Sequence, residues 1–140
     1  MTTLKRPDHA ISFETKVSFH YCDPLGVVWH GRYFEWFEEA RTRLFESVTL
    51  GVDELKRKGH RMFIVDARCR YMAPLTVGQR LRVTAWYSAV EPLIRVAYDV
   101  YNLDAERWAA RATTVLAITD GTGELLSKTP DTLLARLPAR

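Results

Sequence analysis

The sequence predicts an α+β fold: one long apolar helix wrapped by a five-stranded antiparallel sheet. Three observations carry that expectation. Tyr33, Phe37, Ala40, Leu44 and Val48 recur at helical spacing, and Trp36 and Phe45 widen the stripe, so the helix is deeply buried. Five other stretches alternate apolar and polar residues, one before the helix and four after it. A helix of ~18 residues is about 27 Å long, comparable to the width of five strands at ~4.8 Å each. One helix against one sheet therefore buries the apolar surface of both.

Taken in order, residues 1–9 read as a frayed tail before a single domain of 140 residues. Ala10 to Tyr21 is the first strand, with Ile11, Phe13, Val17, Phe19 and Tyr21 of one parity. Cys22-Asp-Pro-Leu-Gly26 is a tight turn: Asp23 bonds its own downstream backbone, Pro24 fixes φ and Gly26 permits positive φ. The helix follows from about residue 32 to 48, and Gly51 ends it. A short polar helix or turn over 52–58 closes at Gly59. Strands are expected at 62–72, 80–89, 93–102 and 107–119, and a small helix at 132–137. The connections between these four strands are short, which predicts a sequential antiparallel meander.

Composition narrows the function. The net charge of +3 is too small for bulk nucleic-acid binding but favours a phosphorylated ligand, and the basic excess is mostly Arg. The two cysteines, Cys22 and Cys69, sit in no paired-Cys motif. The N-terminal stretch lacks the apolar core of a secretory signal, and no apolar run approaches the ~20 residues of a membrane span. A cytoplasmic protein with reduced thiols is expected, without membrane or nucleic-acid partners.

The chemistry concentrates around the turn. Asp23 stands just before the start of a buried helix, whose free backbone N–H groups can hold an oxyanion. A carboxylate beside oxyanion donors is the minimum needed to attack an acyl carbonyl. Other readings remain open at this level. Asp-Pro in a turn is commonly structural. Cys22 can serve as nucleophile with His30 as base, although no third partner is visible. His20, Cys22, Asp23 and His30 match no dependable zinc spacing, so no metal is expected. Glu38 and Arg41 are spaced for a helix ion pair. Arg68, Arg70, Arg80, Arg82, Arg95 and Arg111 alternate with apolar residues and form one polar sheet face, solvated, a subunit contact, or a grip for phosphate or RNA.

The segment Phe19-His-Tyr-Cys-Asp-Pro-Leu-Gly-Val-Val-Trp-His-Gly-Arg-Tyr-Phe-Glu-Trp36 resembles the active-site region of hot-dog-fold acyl-CoA thioesterases of the 4-hydroxybenzoyl-CoA thioesterase type. The matching positions are Asp23, Gly26, Val28, His30, Tyr33, Glu38 and Arg41. The resemblance is specific over residues 17–45 and looser elsewhere. It implies a hot-dog domain that dimerises edge to edge, often pairing again into a homotetramer. It implies hydrolysis of an aryl or short acyl-CoA to acid and CoA, with CoA as part of the substrate and no further cofactor. Asp23 is then the catalytic carboxylate, as nucleophile or as base for water. The backbone N–H of His30 holds the thioester oxygen, and Gly26, Trp29 and Tyr33 contribute to substrate binding. The family's basic cluster for the CoA phosphates is absent from Val90-Glu-Pro-Leu-Ile-Arg95, so no nucleotide-binding residues are assigned. The alternative is a hot-dog protein that binds acyl-CoA or acts as a scaffold without turnover.

Overall fold

A computed structural model describes residues 6–138. Its elements are β1 (Ile11–Lys16), α1 (Tyr33–Ser47), α2 (Val52–Arg57), β2 (Met62–Tyr71), β3 (Arg80–Ala89), β4 (Ile94–Asn102), β5 (Arg107–Ile118) and α3 (Asp131–Leu134). The five strands form one antiparallel sheet in the order β1-β3-β4-β5-β2. The apolar stripe of α1 lies against the inner face, where Phe37, Ala40 and Leu44 are fully buried beside Leu81, Val83, Tyr87, Val96 and Tyr98. The Phe37 and Tyr98 rings meet at 4.8 Å between centroids. This is the hot-dog arrangement, and the helix falls within one residue of its expected bounds.

β3, β4 and β5 pair in sequence as the expected meander requires, and the correction concerns β2. β2 does not pair with β3 but crosses to the far edge and pairs with β5. The connection after β2 is engaged elsewhere: Leu75 accepts from the backbone N–H of Val28 at 2.9 Å, and Thr76 bridges Val27. Its polar groups are therefore not available for a hairpin.

The first strand is also shorter than expected. It ends at Lys16, and Phe19–Tyr21 form a 3-10 turn in which Phe19 is 83% exposed. The alternating pattern ran past the point where the chain leaves the sheet. A β-bulge between Ile64 and Asp66 likewise interrupts the alternation of β2, so that Val65 has no partner in the register with β5.

Residues 6–9, expected as tail, are tied to the sheet, and residues 1–5 lie outside the described residues. Arg6 lies over the rings of Trp86 and Trp108, 5.7 and 5.0 Å from their centroids, and its Nε donates to Asp99 at 2.8 Å. His9 Nε2 accepts from the backbone N–H of Tyr87 at 2.9 Å. The register does place the six sheet arginines on one outer face. That face also carries Trp86, which alternates with the apolar residues of β3 as Arg80 and Arg82 do, and Tyr101 and Trp108 beside it. It carries the buried Asp99 as well. Burial raises the Asp99 carboxyl above its ordinary value, against the opposing pull of Arg6 and then Arg111 and Arg82.

Candidate functional site

The Asp23 turn is built as its residue types require. Asp23 Oδ1 accepts from the backbone N–H groups of Leu25 at 2.8 Å and Val27 at 3.4 Å. Its own N–H donates to Val27, and Gly26 closes the turn at φ 84° by donating to the Asp23 carbonyl. The structural role of Asp23 is thus real, but it occupies one carboxylate oxygen. Oδ2 accepts no hydrogen bond among the described residues.

The chain then runs through Val28, which is buried, into a 3-10 turn at His30–Arg32 that leads directly into α1. Opening a helical turn leaves its first N–H groups without acceptors behind them. The backbone N–H of His30 has no acceptor among the described residues. Gly31 follows because the Trp29 indole lies over it: a Cβ there would come within 2.3 Å of the ring.

Asp23, His30 and Tyr33 line one cavity of about 380 Å³, together with Val28, Tyr71 and Pro74. The fold thus brings three of the five expected site residues together. Gly26 and Trp29 do not line it: Gly26 shapes the turn, and Trp29, 51% exposed, packs on His30 and Gly31. Trp36 and Phe37, two further large rings close after the turn in sequence, are buried in the core. Cys22 bridges Val28 and does not reach the cavity lining, which disfavours a Cys22–His30 pair. Among the described residues no three His, Cys, Asp or Glu side chains gather as a metal-binding group. Arg41 turns inward to donate to the Tyr98 hydroxyl at 3.3 Å, and no Glu38–Arg41 ion pair is present among the described residues.

Tyr71 is the residue that sequence reasoning missed. It stands at the end of β2, 41 positions from His30, and donates its hydroxyl to the His30 carbonyl at 2.6 Å. Its ring meets Tyr33 edge-on at 4.9 Å. Burial, then the neighbouring Cys69, pushes the Tyr71 hydroxyl up to about 12, and burial does the same for Tyr33. Both hydroxyls therefore stay neutral well into alkaline solution. The only sequence signal was the parity that puts Cys69 and Tyr71 on one face of their strand.

Removing that hydroxyl takes away the side-chain hydrogen bond on the His30 carbonyl. Tyr71→Phe should lower kcat about 2- to 13-fold, the worth of one net hydrogen bond of ~0.5–1.5 kcal/mol. Because Tyr71 stays protonated up to about 12, the ratio of wild-type to variant kcat should be flat across neutral and mildly alkaline pH. A ratio that collapses toward one in that range would mean Tyr71 ionises there.

Comparison with known proteins agrees with this architecture. The family model described as the thioesterase-like superfamily matches residues 17–137. YneP of Bacillus subtilis (strain 168), provisionally named an acyl-CoA thioesterase, is 28% identical over 95 residues, 67% of this chain and 69% of its own length. Two solved structures share the fold. Slr0204, a 1,4-dihydroxy-2-naphthoyl-CoA thioesterase from Synechocystis, superposes with a TM-score of 0.78 at 19% identity, covering 91% of this chain and 95% of that one. A 4-hydroxybenzoyl CoA thioesterase variant complexed with 4-hydroxybenzoyl CoA superposes at 0.81 with 16% identity, covering 93% and 99%. At these identities the two structures speak for the fold, while the family match spans most of the sequence. The chain therefore belongs to the thioesterase-like superfamily of hot-dog proteins, and its class of chemistry is that of a thioester hydrolase.

Proposed function

We propose that the protein hydrolyses acyl-CoA thioesters at the Asp23 cavity, with an aryl or compact acyl group as substrate. The observation that carries this reading is that Asp23 lines one cavity with His30, whose backbone N–H has no acceptor among the described residues. The thioester oxygen accepts from that N–H as negative charge develops on it. Asp23 either attacks the carbonyl carbon directly or takes a proton from the attacking water. The C–S bond then breaks and the thiolate of CoA leaves and is protonated; on the direct route the acyl–Asp23 anhydride left behind is hydrolysed by water, which releases the acid and restores the carboxylate. Two N–H donors on Oδ1 hold the carboxylate in one orientation, so its free oxygen needs no search for position. The imidazole of His30 has no assigned step, since its contribution is through the backbone. No metal enters this scheme.

The cavity wall supports the acyl preference. Tyr33, Tyr71 and the His30 ring surround it and offer faces and edges to an aromatic acyl group. Stacking adds ~0.5–1.5 kcal/mol beyond burial, so an aryl preference of about 2- to 13-fold is expected from that source. A panel of acyl-CoAs read by free thiol release tests this. Benzoyl-type and short-chain esters should exceed palmitoyl-CoA in kcat/KM, and the reverse order would overturn the preference. Binding of acyl-CoA with no thiol release from any ester would favour the non-catalytic alternative.

The active form in this reading is a homodimer, with a homotetramer built from it. β2 is an edge strand whose outer side has no neighbour in the sheet, and Phe63, Ile64 and Val65 are exposed along it. Such an edge invites pairing with a second copy. Sedimentation at micromolar concentration should give a dimer or larger, and a monomer would contradict the pairing. Both cysteines are free, consistent with a reducing, cytoplasmic setting. Among the described residues no helix is long and apolar enough to cross a membrane.

A further inference from the structure

We infer that the basic connection between α2 and β2, through Lys56 and Arg61, grips the phosphates of the acyl-CoA bound at the partner subunit's Asp23 cavity. The inference rests on the acyl-CoA reading and on the two-fold pairing of β2 just proposed. Residues 56–61 hold five basic side chains: Lys56, Arg57, Lys58, His60 and Arg61. Two of them are already neutralised, since Arg57 pairs with Glu54 and Lys58 lies 4.0 Å from the same carboxylate. Lys56 and Arg61 have no side-chain hydrogen bond or ion pair among the described residues. Together with His60 they border two recesses. One, of about 420 Å³, lies on the helix side beside Met62 and Ile64. The other, of about 680 Å³, lies toward the glycine-bearing loop at 120–123. His60 Nδ1 donates to the Thr119 carbonyl at 2.8 Å, which fixes its ring between them.

Reach decides whose substrate these cations meet. The pantetheine arm has about twelve bonds between sulfur and the first phosphate ester oxygen, the length of roughly four extended residues, ~14 Å. Within one protomer the cluster precedes Met62, whereas Tyr71 and the cavity lie at the other end of the ten-residue β2, ~30 Å away. That distance is too great for the diphosphate, which follows directly on the arm. Antiparallel pairing of two β2 edges about a two-fold reverses the ends, so the start of one β2 adjoins the finish of the other. The partner subunit's Lys56 and Arg61 then stand beside the cavity mouth, and the helix-side recess continues the cavity across the interface. The alternative region, 90–95, offers Arg95 alone against Glu91.

The test compares an aryl-CoA with the same acyl group on pantetheine, which lacks the nucleotide and its phosphates. Lys56→Ala/Arg61→Ala should reduce the ratio of kcat/KM for the CoA ester to that for the pantetheine ester by roughly tenfold or more, through KM. Lys56→Arg/Arg61→Lys should restore most of it. Mixed dimers of Asp23→Asn with Lys56→Ala/Arg61→Ala should regain a low-KM site, because one cavity then has both an intact Asp23 and intact cations from its partner. An unchanged ratio overturns the assignment while leaving the hydrolase reading in place. A reduced ratio with no recovery in mixed dimers overturns the trans arrangement. Failure of the wild type to hydrolyse either ester removes the acyl-CoA reading beneath both.

Discussion

Asp23→Asn should lower kcat for a good acyl-CoA substrate by roughly 10²–10⁴ while leaving KM and the fold nearly unchanged. The amide is close in shape to the carboxylate, and its oxygen can still accept from the Leu25 and Val27 N–H groups that now meet Oδ1. The turn therefore keeps its geometry. The lost function is the one only a carboxylate supplies: attack on carbon, or removal of a proton from water. Activity within a fewfold of wild type would exclude Asp23 from the chemistry and leave it as a turn residue. His30→Ala should be much milder, because the backbone N–H survives the change unless the 3-10 turn moves.

Phe37→Ala should give the largest loss of stability, about 3–5 kcal/mol out of the ~5–15 kcal/mol of an ordinary domain. Phe37 is fully buried at the middle of the helix–sheet interface, in ring contact with Phe34 at 5.4 Å and Tyr98 at 4.8 Å. Truncation leaves a void against β4 that rigid strands cannot collapse to fill. Tyr98 is further held by Thr114 at 2.7 Å, so it will not swing in. Urea unfolding should show a lower midpoint at similar slope. A change below about 1 kcal/mol would mean that α1 does not carry the core.

Local patterns were legible where one physical rule acted alone. The α1 stripe and the alternation of β3 gave bounds within a residue of those observed, since both are set by which side chains face the core. The turn at Asp23 was legible from residue types with known φ and hydrogen-bonding habits. The order of β3, β4 and β5 was legible from their short connections, but the place of β2 was not, because it is set by its pairing with β5 and by the bonds of Leu75 and Thr76 to the Asp23 loop. Tyr71 was missed for the same reason: its partner carbonyl is close in space and remote in sequence. Of the large rings that follow the turn, Tyr33 lines the cavity, Trp29 packs outside it, and Trp36 and Phe37 lie on the stripe assigned to the core, so helical periodicity outweighed proximity to the turn.

The most direct measurement is a crystal structure of the Asp23→Asn variant with a bound aryl-CoA thioester. The thioester carbonyl oxygen should lie about 2.7–3.1 Å from the His30 backbone nitrogen. The carbonyl carbon should face residue 23, with the ring against Tyr33 and Tyr71. An acyl group seated outside this cavity, or a carbonyl turned away from the His30 N–H, would contradict the assignment of the reaction to this site.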